Sequence, residues 1–290
     1  MPQPAETFTL GHSPDPDDAF MFYAMAENKI DTHGYRFEHI LQDIETLNQR
    51  AVRGELHISA ISIHAYSYVL DKYALLPCGA SMGDGYGPML VAKNRDGLGA
   101  NPQFGEIREW MKGKKIAIPG RMTSAFLALQ LALGQCDVIV VPFDEIFAAV
   151  KAGKADVGLI IHEGQLTYER ENLTCILDLG MWWKIKTGLP LPLGGNVIRK
   201  DIAPALRSEL NGILRESIRY GLEHRAAGVA HAMPLARDMN TELADKFIGM
   251  YVNDFTLDYG DTGRRAIHEF LAAASEAGLI PAPVELEFVE

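Results

Sequence analysis

Ala51-Val52-Arg53-Gly54-Glu55-Leu56-His57-Ile58-Ser59-Ala60-Ile61-Ser62-Ile63-His64 has a partner about a hundred residues on. That partner is Ala149-Val150-Lys151-Ala152-Gly153-Lys154-Ala155-Asp156-Val157-Gly158-Leu159-Ile160-Ile161-His162. Each reads as a helix end, a glycine that stops it, an apolar strand, and a polar residue where the strand runs out. Upstream of each, a strand turns into a helix through a short polar loop, Ser13-Pro14-Asp15-Pro16-Asp17-Asp18 in one case and Pro119-Gly120-Arg121-Met122-Thr123-Ser124 in the other. Strands alternating with helices predict an open, largely parallel sheet in each of two lobes. Two lobes of like construction are suited to hold a small molecule between them.

Working outward, strands are expected at 7–12, 35–41, 56–61, 74–77, 89–93, 115–118, 137–141 and 157–161. Helices are expected at 19–27, 44–52, 64–72, 125–133, 145–151, 206–224, 242–252 and 262–277. The polar stretch 94–113 and the stiff Leu189-Pro190-Leu191-Pro192-Leu193-Gly194-Gly195-Asn196 both read as crossings between lobes. The expected organisation is a larger discontinuous lobe, 1–95 with 196–290, and a smaller inserted lobe, 96–195. Two crossings form a hinge of the kind that closes around ligands.

The chain has 290 residues, 48% hydrophobic and 22% charged, which is ordinary for a globular protein with an ample core. A net charge of −11 argues against a nucleic-acid partner, since phosphate binding needs clustered Lys and Arg. It leaves room for an anionic small ligand at a locally positive site. Cys78, Cys136 and Cys175 form no metal or disulfide spacing and read as reduced thiols. Met1 to Glu6 shows no leader pattern, and no apolar run reaches the roughly 20 residues of a membrane span. The expectation is a cytoplasmic protein with no membrane partner.

Ligands of such lobes bind beyond the carboxyl ends of the strands. At the first such loop Ser13 and Asp17 either bond a ligand or, with Asp15 and Asp18, cap a helix. At the second, Ala60-Ile61-Ser62 either anchors a ligand or simply ends a strand. At the third, Thr123 and Ser124 with the exposed amides of a helix start make a place for a carboxylate, or Thr123 is a plain cap. At the fourth, His162 ends a buried strand, where a histidine either serves as a general base or is satisfied by ordinary hydrogen bonds. At the fifth, Gly188 to Asn196 with Trp182 and Trp183 either lines a pocket for a flat ligand or packs. No nucleophile elbow, dinucleotide fingerprint or metal spacing is present, so the chemistry is expected to be cofactor-free acid/base work.

Read together, these loops resemble one family. The carrying stretches are Ser13-Pro14-Asp15-Pro16-Asp17-Asp18-Ala19-Phe20, Asp43-Ile44-Glu45-Thr46-Leu47-Asn48 and Gly83-Asp84-Gly85-Tyr86-Gly87-Pro88. Also shared are Pro119-Gly120-Arg121-Met122-Thr123-Ser124-Ala125, Gly158-Leu159-Ile160-Ile161-His162-Glu163 and Thr187-Gly188-Leu189-Pro190-Leu191-Pro192-Leu193-Gly194. In order, over about residues 8–280, they are similar to the 1,4-dihydroxy-6-naphthoate synthases of the futalosine route to menaquinone. The resemblance implies a two-lobed α/β, periplasmic-binding-protein-like (type II) fold with the ligand in the cleft. It implies cyclic dehypoxanthinyl futalosine as a carboxylated substrate, no cofactor, His162 as catalytic base, and substrate contacts at Ala60-Ile61-Ser62 and Thr123-Ser124. The family's first loop is Ser-Pro-Cys-Pro-Asn-Asp. Where it has an Asn amide that donates and accepts, an ionised Asp17 only accepts, so a ligand group there is a donor or Asp17 is protonated. The rival expectations are a chorismate dehydratase-like enzyme, acting on a smaller acid, and a binding protein that closes without chemistry.

Overall fold

The computed structural model describes residues 6–237, 239–281 and 283–290; Met1 to Ala5, where the leader pattern was sought, lie outside them. The first lobe starts with β1 (Thr7–His12), α1 (Pro16–Ala26), β2 (Arg36–Leu41), α2 (Ile44–Arg53), β3 (Ile58–Ser62), α3 (Ile63–Tyr66), β4 (Tyr73–Leu75) and β5 (Ser81–Gly83). The second comprises β6 (Met89–Ala92), α4 (Phe104–Met111), β7 (Lys115–Ile118), α5 (Ser124–Leu133), β8 (Asp137–Val140), α6 (Ile146–Lys151), β9 (Val157–Ile160), β10 (Thr174–Asp178) and α7 (Leu179–Thr187). The chain returns through β11 (Leu191–Arg199) and ends in α8 (Pro204–Glu223), α9 (Arg225–Ala232), α10 (Thr241–Tyr251), α11 (Asp254–Leu257) and α12 (Gly260–Glu276).

The two helix–glycine–strand units fold alike. Gly54 and Gly153 both turn left-handed, at φ 71° and 72°, and let the chain leave α2 and α6 for β3 and β9. One sheet runs β2-β1-β3-β11-β4, with β5 also on β11; the other runs β10-β6-β9-β7-β8. β1 lies parallel to β2 and β3, as β7 does to β8 and β9. The crossing strands differ from expectation. β6 is antiparallel to β9 and β10, and β11 is antiparallel to β3, β4 and β5, so both sheets are mixed. An antiparallel strand needs no helical crossover, which is how two strands serve as the links between lobes.

The stretch 189–196, expected as a bare crossing, is mostly strand. Pro192 is accommodated by a register shift between Pro192 and Gly194. By sheet membership the first crossing lies before Met89 and the second before Leu191, a few residues ahead of the expected 95 and 195. The helix expected over 64–72 stops at Tyr66. There the Ser67 hydroxyl donates to the His64 carbonyl at 2.7 Å and the chain turns into β4.

α1 packs against α8 and α9, burying Phe20, Phe22, Ile213, Ile218 and Val229. A second cluster runs from Ile61 and Tyr66 through Leu127 and Leu129 to Trp183 and Phe270. It joins β3, α3, α5, α7 and α12, so the lobes share apolar core beside the hinge. Among the described residues no helix is long and apolar enough to cross a membrane.

Candidate functional site

Between the sheets lies a cavity of about 790 Å³, counting the open space at its mouth. Ser13 and Asp15 line it from the β1–α1 loop, Asp17 and Asp18 from the first turn of α1, Ala60 to Ser62 from the end of β3, and Gly194 to Asn196 from β11. Thr123 to Ala125 and Ile161 face them from the second lobe. Every loop expected to carry a substrate contact therefore reaches one space.

At the start of α5 the structure refines the expected roles. Thr123 Oγ1 accepts the Phe126 amide at 3.2 Å and donates to the Gly120 carbonyl at 3.0 Å. Ser124 Oγ donates to the Leu193 carbonyl at 2.5 Å and accepts the His64 amide at 3.1 Å. Both hydroxyls are thus engaged in holding the helix start and the lobe contact. The amides of Ser124 and Ala125 find no acceptor among the described residues and stand at the positive end of a ten-residue helix on the cavity wall. Free amides so placed are suited to an anion.

Opposite them, Ser62 is fixed by Asn48, whose Oδ1 accepts the Ser62 amide at 2.9 Å while its Nδ2 donates to Ser62 Oγ at 2.9 Å. Among the described residues the Ser62 hydroxyl proton has no acceptor. Pairing of β1 with β3 ends at Ser59, which leaves one edge of Ala60 and Ile61 turned to the cleft. Asn48 was not singled out as a site residue, although it ends the motif Asp43-Ile44-Glu45-Thr46-Leu47-Asn48. Asp43 caps α2 by accepting the Thr46 amide at 3.0 Å. That cap orients Asn48 inward and places Glu45 to take the Met122 amide of the other lobe at 3.0 Å.

The three aspartates divide their work. Asp18 accepts the Ser13 amide at 2.6 Å, and Asp15 accepts the Ser13 hydroxyl at 2.7 Å. Asp17 lines the cavity from the first turn of α1. Burial pushes all three carboxyls up; for Asp17 the charges of Asp18 and Asp15 add to it, taking it well above the usual range. Asp17 in its acid form both donates and accepts, as an asparagine amide does.

Asp18 is raised from its ordinary 3.8 to about 7. A carboxyl raised on folding favours the folded state in its acid form. Its contribution is full below about pH 4 and is lost as pH rises towards 7. Asp18→Asn, which keeps an acceptor for Ser13, is therefore expected to gain stability relative to the wild type as pH rises from about 4 to about 7. Thermal melts of both proteins across that window measure it, and a difference that stays flat would refute it.

His162 lies two residues beyond β9, behind the cavity wall; Ile161 lines the cavity and the imidazole does not. Its Nδ1 accepts the Gly164 amide at 3.0 Å, so the proton resides on Nε2, which donates to the Phe143 carbonyl at 3.0 Å. The ring is thus a neutral imidazole with both nitrogens bonded. Phe143 and Phe147 pack edge-on against it. The buried Glu163 carboxylate lies 3.6 Å from Nδ1. Burial pushes the Glu163 carboxyl up, but once His162 is protonated, its hydrogen bond and charge, with backbone bonding and Arg237, outweigh burial and hold the group below its ordinary value.

Arg237, absent from the expected site, spans the lobes. It donates to Asp15 and to the Pro14 carbonyl at 3.3 Å, faces Glu163 at 3.5 Å, and lies over the Phe143 ring. Tyr251 likewise donates to Gln165 across the cleft at 2.6 Å. Together with Glu45 to Met122, these contacts draw the lobes closed. Arg237 follows the helical run of the last third, where spacing alone gives no sign that a side chain reaches the cleft. Trp183 is buried in the core and Trp182 stacks on Phe104, so the tryptophan pair packs and does not line the cavity.

A family model described as menaquinone biosynthesis matches residues 8–276. The 1,4-dihydroxy-6-naphthoate synthase of Thermus thermophilus is 36% identical, over 96% of this chain and 98% of its own length. The enzyme of that name from Streptomyces coelicolor is also 36% identical, with 96% of each chain covered. A crystal structure of an Archaeoglobus fulgidus protein superposes with a TM-score of 0.87 at 42% identity, covering 94% of this chain and 98% of that one. The alkanesulfonate-binding protein of Xanthomonas axonopodis, at 11% identity, shares the fold with a TM-score of 0.68 over 97% and 96% of the two chains. The two lobes are thus those of a periplasmic-binding-protein-like fold, and the chain belongs to the menaquinone-biosynthesis family in which the 1,4-dihydroxy-6-naphthoate synthases fall.

Proposed function

We propose that this protein is a carbon–carbon lyase that converts cyclic dehypoxanthinyl futalosine into 1,4-dihydroxy-6-naphthoate, with His162 as general base. The observation that carries the reading is the family match over nearly the whole chain, set on a cleft whose anion dock suits a carboxylated substrate. The substrate carboxylate binds the Ser124 and Ala125 amides, and the Ser62 hydroxyl donates a further bond. Lobe closure through Arg237, Glu45 and Tyr251 excludes water and orients the spiro-linked sugar and ring.

Neutral His162 then takes a proton from the substrate at Nδ1, after that nitrogen leaves the Gly164 amide. The ionised Glu163 beside it stabilises the imidazolium that forms, much as a carboxylate does in a catalytic triad. Elimination with carbon–carbon cleavage releases the sugar-derived fragment, and aromatisation of the naphthalene drives the step. Because Nδ1 and Nε2 are both bonded in the closed form, local movement around 143 or 164 precedes proton transfer. The protein works on a small molecule in the cell interior, with no cofactor supplied by these residues.

The test is to offer the purified protein cyclic dehypoxanthinyl futalosine and, separately, chorismate, and to follow each by chromatography with mass detection. Naphthoate from the first alone supports the proposal. Dehydration of chorismate would assign the dehydratase chemistry instead, and a bound, unchanged substrate would mark a binding protein.

A further inference from the structure

One polar side chain on the cavity wall is left without its partner. Asn196 is 2% exposed and lines the cavity from β11. Its Nδ2 turns back to donate to the Gly79 carbonyl at 3.2 Å, and its Oδ1, equally buried, has no hydrogen-bond partner among the described residues. The amide orientation is fixed from both sides. Only Nδ2 has a proton for that carbonyl, and Gly79, at φ 79°, leaves it room: a Cβ there would stand 2.1 Å from Nδ2. The neighbouring wall is Ser81, Gly194 and Gly195, and a Cβ on Gly194 would meet no atom nearer than 3.6 Å. A buried acceptor left unpaired costs free energy, which a ligand donor recovers on binding.

We propose that Asn196 is a specificity-determining residue whose Oδ1 accepts a hydrogen bond from a hydroxyl of the ligand, at the cavity wall formed by Gly79, Gly194 and Gly195. The assignment rests on the naphthoate reading and names the group of that ligand which the wall recognises. The carboxylate is taken by the amides of α5, and the hydroxyl by Asn196. A ligand carrying the acid without the hydroxyl leaves Oδ1 buried and unpaired.

The experiment compares two probes by calorimetry: 1,4-dihydroxy-6-naphthoate and 2-naphthoate, the same ring acid without hydroxyls. The wild type is expected to prefer the dihydroxy acid by about 10-fold, the worth of one such bond. Asn196→Ala is expected to abolish that preference while binding 2-naphthoate as before. Asn196→Asp, whose buried carboxyl in its acid form donates to the Gly79 carbonyl and keeps an acceptor at the same place, is expected to retain the preference. A wild type that discriminates and an alanine variant that discriminates equally, or that loses both probes alike, would overturn the assignment of Asn196. A wild type that binds neither probe would overturn the naphthoate reading, and the assignment with it.

Discussion

His162→Ala is expected to lower turnover by about 1,000-fold, the scale of a lost general base, while substrate affinity changes only several-fold. The imidazole lies behind Ile161, off the cavity wall, so removing it is expected to take away the proposed proton acceptor and leave the free amides at α5 intact. Alanine also strands the Phe143 carbonyl and the Gly164 amide, both bonded to the ring here. His162→Gln serves as the control, because it restores polar atoms at that place without an imidazole's basicity. Both variants should bind the substrate and fail to cleave it. Steady-state kinetics with a parallel binding isotherm reads this out, and a turnover within tenfold of the wild type in either variant would remove His162 from the mechanism.

Ala125→Pro is the second large effect. Proline is tolerated in the first turn of a helix, where its missing N–H had no helical partner. Here that N–H is one of two free amides at the helix start, and the ring would stand where the carboxylate is proposed to bind. Substrate binding should weaken by about 10- to 100-fold, the worth of a charge-assisted bond, with circular dichroism unchanged. A methyl ester of the ligand should bind weakly to the wild type and lose little more in the variant. Equal losses for acid and ester would place the carboxylate elsewhere.

Much of the cavity lining was legible in the sequence. The paired helix–glycine–strand units located both lobes, and the loops at Ser13, Ala60, Thr123 and Asn196 all line the one cavity. Strand direction was not legible, because an apolar run of four or five residues packs equally well either way. β6 and β11 therefore read as ordinary strand or linker and proved to be the antiparallel crossings. α4 lay hidden in a polar stretch, although Gln103 and Glu106 form a capping box that marks its start. Hydroxyl residues at a helix start suggest ligand contacts, but only the hydrogen bonds show Thr123 and Ser124 to be engaged and the amides free. Arg237 depends on the packing of the C-terminal helices against α1, a contact between segments some two hundred residues apart that local pattern does not encode.

The most direct test of the central claim is a product balance. The protein, treated with a chelator and supplied with no cofactor, is incubated with cyclic dehypoxanthinyl futalosine, and naphthoate and the sugar-derived fragment are quantified together. A carbon–carbon lyase working through His162 releases the two in equal amounts over many turnovers, and His162→Ala releases neither. Naphthoate without the fragment, or no conversion of a substrate that is shown to bind, would contradict it.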